Sequence, residues 1–199
     1  MTLVSRPVGP RALLVETGDE TRALSLAQWV RRTGIAADEV VPAATTVLLD
    51  GVPDLDAARE RLRDWPDVPP VIDDRLVELP VVYDGPDLAF AADAWGLSTS
   101  GAVALHTGHE FVVAFCGFAP GFAYLRGLPQ ELALPRLATP RTRVPAGAVA
   151  VADRWTGVYP SASPGGWRLL GHTEVALFDA AREEPALLAP GTRVRLVAR

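Results

Sequence analysis

A chain of 199 residues, 49% of them apolar, is long enough for one large or two small domains, each able to bury a core. Its net charge of −5 argues against nucleic-acid binding, which calls for a dense basic face. All 19 basic side chains are arginines, so Schiff-base enzymes, Walker-type P-loops and lysine-dependent kinases are excluded together.

In chain order, Arg11 to Glu16 reads as a strand, and Gly18-Asp19 opens a helix from Glu20 to Arg32. Leu24, Ala27 and Val30 recur there at helical spacing, and Gly34 stops it. Val40-Val41 and Thr46 to Leu49 read as short strands joined through Pro42. A second helix begins at Asp54, with Leu55, Ala58 and Leu62 on one face and a run of charges on the other; Pro66, Pro69 and Pro70 end it. Arg75 to Tyr83 is again strand-like. The order strand, helix, strand, strand, helix, strand is that of the split βαβ, ferredoxin-like arrangement. The expectation is therefore a small α/β domain over residues 1–80, although the last strand fits either this domain or the next.

Residues 81–199 open with two helical segments, Asp87 to Trp95 and Ser98 to Leu105, with Ser98 as an N-cap. Past His109, short apolar runs alternate with Gly and Pro, at Phe111–Phe115, Val149–Val151, Gly157–Tyr159, Trp167–Leu170, Val175–Phe178 and Thr192–Val197. Such spacing predicts a barrel or a sandwich. The single cysteine, Cys116, ends an apolar strand, and no disulfide can form within the chain. The N-terminal residues lack the pattern of a signal peptide, and no run approaches the roughly 20 apolar residues of a membrane span. The expectation is a cytoplasmic protein without membrane contact.

The densest punctuation lies at Gly117–Leu125 and Pro135–Gly147. Arg136, Arg141 and Arg143 fall there with no acid between Glu131 and Asp153. Rigid guanidinium forks on a proline-stiffened loop suit a carboxylate or phosphate, and equally fit solvated charges on a surface loop. Ser161-Ala162-Ser163-Pro164-Gly165-Gly166 offers hydroxyls and glycine amides to an anion, or a plain turn between strands. His106 is open to a general-base or a core reading. No nucleophile elbow, zinc-binding helix or dinucleotide fingerprint is present.

Gly117–Leu125, Pro135–Gly147, Thr156–Pro160 and Ser163–Trp167, helped by Val103–His106 and Leu188–Gly191, closely resemble the family of the 5-oxoprolinase B subunit. That family is also called allophanate hydrolase subunit 1, and it includes an inhibitor of a sporulation kinase. The resemblance runs from about Val82 to Val197. It implies an α+β chain in which a small ferredoxin-like split βαβ domain precedes a cyclophilin-like β-barrel over residues 81–199. It also implies partners: a second barrel of the 5-oxoprolinase C-type or allophanate hydrolase subunit 2 kind, and a lactam-utilisation protein of the A-type. In relatives fused to a biotin carboxylase, such a pair of barrels looks like a carboxyltransferase domain with its site between them.

The implied activity is ATP-dependent hydrolysis of a small amide, 5-oxo-L-proline to L-glutamate, with allophanate the nearest variant. ATP, with magnesium, would be bound by the complex. By motif position the resemblance implies His106, Arg141 and Arg143 as catalytic, with His106 moving the proton and the arginines offsetting phosphoryl charge. It implies Arg136, Thr139, Ser163, Gly165 and Gly166 as substrate-binding; separately, His106 and His109 are three apart but have no acidic or cysteine partner at matching spacing, so no metal site is expected. Trp155 stands where relatives often carry glutamine, and His172 where they often carry arginine. A second implied role, from the inhibitor branch, is binding and inhibiting a sensor histidine kinase.

Overall fold

A computed structural model describes residues 3–199, which divide into two compact units, one ending at Ile72 and one running Asp73–Arg199. The first contains β1 (Val4–Pro7), β2 (Leu13–Glu16), α1 (Glu20–Thr33), β3 (Glu39–Pro42), β4 (Thr46–Asp50) and α2 (Leu55–Leu62). Both helices start where short acids can cap them: the Asp19 carboxylate accepts from the Arg22 N–H, and Asp54 from those of Asp56 and Ala57. Gly34, with φ of 67°, ends α1.

The strands lie in the order β1-β2-β4-β3, each pair antiparallel. β2 and β3 therefore run the same way on either side of β4, which is the split βαβ unit that the sequence predicts. Leu13, Val15, Leu26, Val30, Val47, Leu49 and Leu62 fill its core, and full burial of each such side chain stabilises by about 1.5–3 kcal/mol. The fourth strand is not the expected one. β1 occupies that edge, and its polar, mostly exposed sequence carries no alternation by which to read it.

The strand-like residues 75–83 belong to the second unit. There β5 (Leu76–Val81) pairs in parallel with β13 (Arg193–Ala198), so the boundary falls at Ile72/Asp73 rather than at 80/81. The remaining elements are α3 (Leu88–Ala94), α4 (Thr99–Gly108), β6 (Glu110–Cys116), β7 (Ala123–Arg126), β8 (Arg141–Val144), β9 (Ala148–Ala152), β10 (Trp155–Val158), β11 (Ser163–Gly165) and β12 (Arg168–His172). Ser98 caps α4 by accepting from the Gly101 N–H at 3.1 Å.

Seven strands form one sheet, β12-β9-β10-β7-β6-β13-β5. It nearly closes on itself, because Val82, just past β5, exchanges two backbone hydrogen bonds of 2.9 Å with His172 of β12. The seam is tight: a Cβ on Gly171 would stand 2.2 Å from the Val82 carbonyl oxygen. Closure removes the exposed edges that an open sheet would present. The expected barrel is therefore present, with two changes in its strands. Residues 175–178 form no strand, only an isolated bridge from Phe178 to Ala186. β7, β8 and β11 lie inside the Gly/Pro-punctuated segments, where the hydrophobic pattern is broken.

Each residue of β9 is buried. Val149 and Val151 face the barrel core with Leu79, Phe111, Val113, Leu125 and Leu170. Ala148, Ala150 and Ala152 face the opposite way, against Phe122, Tyr159 and Trp167. Small residues on that outer face leave room for a layer of aromatic rings. Among the described residues no single helix is long and apolar enough to cross a membrane.

Candidate functional site

β8 and β11 form a two-stranded ribbon, with Val144 opposite Ser163 and Arg141 opposite Gly165. Gly165 sits there because a Cβ would stand 2.3 Å from the Tyr159 hydroxyl oxygen. Next to it, the Leu137 N–H donates to the Gly166 carbonyl at 2.7 Å, which ties the Pro135–Pro140 segment to the ribbon. The Arg136 guanidinium lies over Gly166, 3.6 Å from where a Cβ would be. It also acts on two hydroxyls: burial pushes those of Tyr124 and Tyr159 up from the ordinary tyrosine range, and the Arg136 charge opposes the rise. The ribbon thus gathers Arg136, Tyr124, Tyr159, Ser163, Gly165 and Gly166. The Ser163 hydroxyl is buried and has no hydrogen-bond partner among the described residues.

The three arginines part company. Arg141 Nη2 lies 2.8 Å from Asp87 Oδ2, and its Nη1 donates to the Trp167 carbonyl at 3.2 Å. Asp87 is 7% exposed; its Oδ2 also accepts from the Leu169 N–H at 2.7 Å, and Arg168 Nη1 approaches Oδ1 at 3.7 Å. Asp87 holds the N-cap position of α3 yet makes no side-chain cap bond, because its carboxylate is committed to β8 and β12. Arg168 in turn lies 3.7 Å over the Phe90 ring and donates to the Pro135 carbonyl. Arg141 is therefore a tie that anchors the ribbon, with its charge already compensated. Arg136, Thr139 and Arg143 are exposed, and neither Arg136 nor Arg143 has an ion pair among the described residues.

Arg136 and Arg143 stand on an open surface of this chain. Two cavities of this unit lie elsewhere, one of about 370 Å³ at Val82, His172 and Arg199, the other of about 290 Å³ at Asp84, Pro145 and His172. Neither is lined by Arg136 or Arg143. His172 Nδ1 meets Asp84 Oδ1 at 2.9 Å between them.

His106 is not at the site either. It is 0% exposed, with Nδ1 2.9 Å from the Tyr83 hydroxyl, Nε2 3.0 Å from the Thr156 hydroxyl, and Phe111 edge-on at 5.5 Å. Burial, and to a lesser extent the charge of His109, pushes its pKa down to about 3. With both ring nitrogens engaged and no exposed atom, it is a core histidine, and the expected proton-transfer role is withdrawn on that ground. His109 does not join it in a metal site: among the described residues no cluster of three or more His, Cys, Asp or Glu could hold an ion. Cys116 is half-buried, bonded to the Leu188 carbonyl, and pushed by burial up to about 11, so it is no ready nucleophile.

Beside the ribbon lies a shelf of rings. Phe115 stacks on Tyr124 at 4.4 Å; Trp155 stands edge-on to both, at 5.3 and 6.1 Å; Phe122 meets Tyr159 and Trp167. At its rim Phe118 is 63% exposed and adopts φ of 70°. That conformation costs a non-glycine residue about 1–2 kcal/mol and such strain is typical of functional loops. Sequence reasoning marked the segments that hold Tyr124 and Tyr159 but assigned those side chains no role. It took Asp87 only as the start of the helical segment Asp87 to Trp95 and gave its carboxylate no role. The usable signal was a tyrosine within three residues of a glycine in each of the segments Gly117–Leu125 and Thr156–Pro160.

The chain is thus a split βαβ unit followed by a nearly closed barrel whose outer face carries a guanidinium-bearing ribbon and an aromatic shelf. Residues 3–188 match the family carboxyltransferase domain, subdomain C and D, and the chain belongs to that family. It is similar to the 5-oxoprolinase B subunit of Escherichia coli O157:H7, 52% identical over 145 residues that cover 70% of this chain and 66% of that protein. It is also similar to the 5-oxoprolinase B subunit of Bacillus subtilis (strain 168), 45% identical over 126 residues, 62% of this chain and 52% of that one. The match thus spans roughly half to two thirds of these relatives. Among solved structures, the crystal structure of TTHA0988 superposes with a TM-score of 0.81 and 40% identity, covering 95% of this chain and 40% of that one. Kluyveromyces lactis urea amidolyase, 19% identical, shares the fold with a TM-score of 0.72 over 99% of this chain and 15% of its own.

Proposed function

We propose that this chain is one subunit of a heteromeric, ATP-dependent hydrolase that opens a small cyclic amide, with 5-oxo-L-proline as substrate and L-glutamate as product. The observation that carries the reading is the 52% identity to a protein named as the B subunit of 5-oxoprolinase. Allophanate is the nearest alternative amide. The open ribbon supports the same reading, because it offers recognition groups without a closed site around them. A second barrel of the C-type, seated over the shelf at Phe118, completes the cleft, and an A-type protein joins the assembly.

In this scheme Arg136 and Arg143 recognise anionic oxygens, the substrate carboxylate or a transferred phosphoryl group. Arg141 and Asp87 hold the ribbon that carries them. Thr139 and the Tyr124 hydroxyl supply neutral hydrogen bonds at its rim, while the buried Tyr159 packs beneath Gly165. Gly165 acts through close packing against Tyr159, where a Cβ would not fit, and Gly166 borders the Arg136 guanidinium at ordinary contact distance. ATP supplies a phosphoryl group to the amide oxygen, which makes the C–N bond labile to water. Nucleotide and magnesium are assigned to the complex, since the sequence contains no Walker-type phosphate-cradling loop.

The test is phosphate release by the purified chain, alone and mixed with its C-type and A-type partners, with 5-oxoproline or allophanate added. Release is expected only from the complete mixture with 5-oxoproline. Arg136→Gln and Arg143→Gln should each lower the rate by about tenfold or more, the value of one charge-assisted contact. Full activity from the chain alone would overturn the shared-site reading. A complete complex that ignores 5-oxoproline would overturn the substrate.

A further inference from the structure

The first unit holds a cavity of about 750 Å³, walled by Leu3 and the first strand on one side and by the end of α2 on the other. That volume lies in the range of small-molecule sites, ~300–1,000 Å³. Leu3, Leu62 and Pro66 make its apolar wall. Trp65 also lines it, and the indole N–H has no acceptor among the described residues although the side chain is 8% exposed. Buried donors in native proteins almost always find a partner; this nitrogen is itself closed to solvent, so a ligand oxygen reaches it only with a small shift of the cavity wall.

The charges are arranged for an anion. Arg59 and Arg63 both line the cavity, one helical turn apart at the end of α2. Their present partners are Asp56 at 2.9 Å and Glu60 at 2.5 Å, whose side chains are 92% and 70% exposed. Exposed pairs of this type are weak and exchange readily for a better-placed acceptor. The one acid in the lining, Asp67, is committed to Arg22 through two bonds of 2.9 and 2.8 Å. The Arg22 guanidinium also lies 5.2 Å from the Trp65 ring centroid, so one ring face is already covered. What remains is an apolar wall, one indole donor and two guanidinium groups that can be recruited.

We propose that this cavity binds a small carboxylate bearing an aromatic or branched apolar body. The carboxylate is held by Arg59 and Arg63, the body packs on Leu3, Leu62 and Pro66, and an oxygen accepts the Trp65 indole N–H. The site does not depend on the amide-hydrolase reading, since every residue in it belongs to the first unit.

The experiment follows the Trp65 indole N–H resonance in ¹H–¹⁵N spectra of the full chain. The resonance is assigned by its loss in Trp65→Phe, or by contacts with Arg22 should that variant not fold. Phenylacetate, benzylamine and acetate are titrated separately. Phenylacetate is expected to shift the resonance saturably, with a Kd of roughly 1 mM, while benzylamine and acetate leave it in place. In the double variant Arg59→Gln, Arg63→Gln the affinity should fall about tenfold or more. A resonance that phenylacetate does not saturate, that benzylamine shifts equally, or that responds unchanged in the double variant would overturn the proposal.

Discussion

Consider the titration of His106. In the folded chain its pKa is pushed down to about 3, and in the unfolded chain it returns to the ordinary value near 6.5. Between those two values the unfolded state binds the extra proton, so stability must rise with pH across that window and fall as pH drops through it. The slope approaches 1.4 kcal/mol per pH unit, so acidification from pH 6.5 to 4 removes about 3 kcal/mol through this one residue. Carboxylates titrate near the lower end as well, and His106→Gln separates them, because the amide keeps polar atoms near Tyr83 and Thr156 but cannot take the proton. At pH 7 the variant should be less stable by about 1–3 kcal/mol, since the two hydroxyls lose well-placed partners. Towards pH 4 the gap should close and then reverse. Amide exchange in β6 and β10 reads the stability of the barrel alone, and the His106 ring proton shift reports its protonation directly. A ring titrating near pH 6.5, or a stability gap independent of pH, would refute the account and reopen a proton-transfer role.

Three further outcomes follow from the ribbon. Asp87→Ala leaves Arg141, a largely buried Arg168 and the Leu169 N–H without their common acceptor, and should cost about 2–4 kcal/mol in urea unfolding; an unchanged midpoint would show that the tie contributes nothing. Gly165→Ala drives a methyl group into the Tyr159 hydroxyl and should cost about 1–3 kcal/mol. Pairing it with Tyr159→Phe removes the oxygen and should recover part of that loss, which additive unfolding energies would contradict. Arg136→Gln removes the charge that holds the Tyr124 and Tyr159 hydroxyls down, so ultraviolet titration should show both ionising at higher pH than in the parent chain; a downward move would place the guanidinium elsewhere.

The local code of this chain was legible where a single short stretch carries all the physics. Asp19 and Gly34 bracket α1, Asp54 starts α2, Ser98 caps α4, and short apolar runs mark β6, β9 and β13. The punctuated runs of the barrel, with their Gly-Phe-Ala-Pro-Gly and Pro-Arg spacing, also marked where the ribbon and aromatic shelf would lie. Periodicity fails where a strand is short and exposed, as in β1, or interrupted by Gly and Pro, as in β8 and β11.

Partnership was settled only by the tertiary structure. The sequence has no acid between Glu131 and Asp153, so the charge of Arg141 looked free; folding brings Asp87 from 54 positions away to within 2.8 Å. His106 looked like a base because imidazole titrates near neutrality; packing against Phe111, Tyr83 and Thr156 strips it of water and makes it neutral. Residues 75–83 read as a strand either way, and it was the six-residue pairing with β13 that gave them to the barrel. Charge state and pairing depend on distance in space and on access to solvent, and neither quantity is a property of neighbours along the chain.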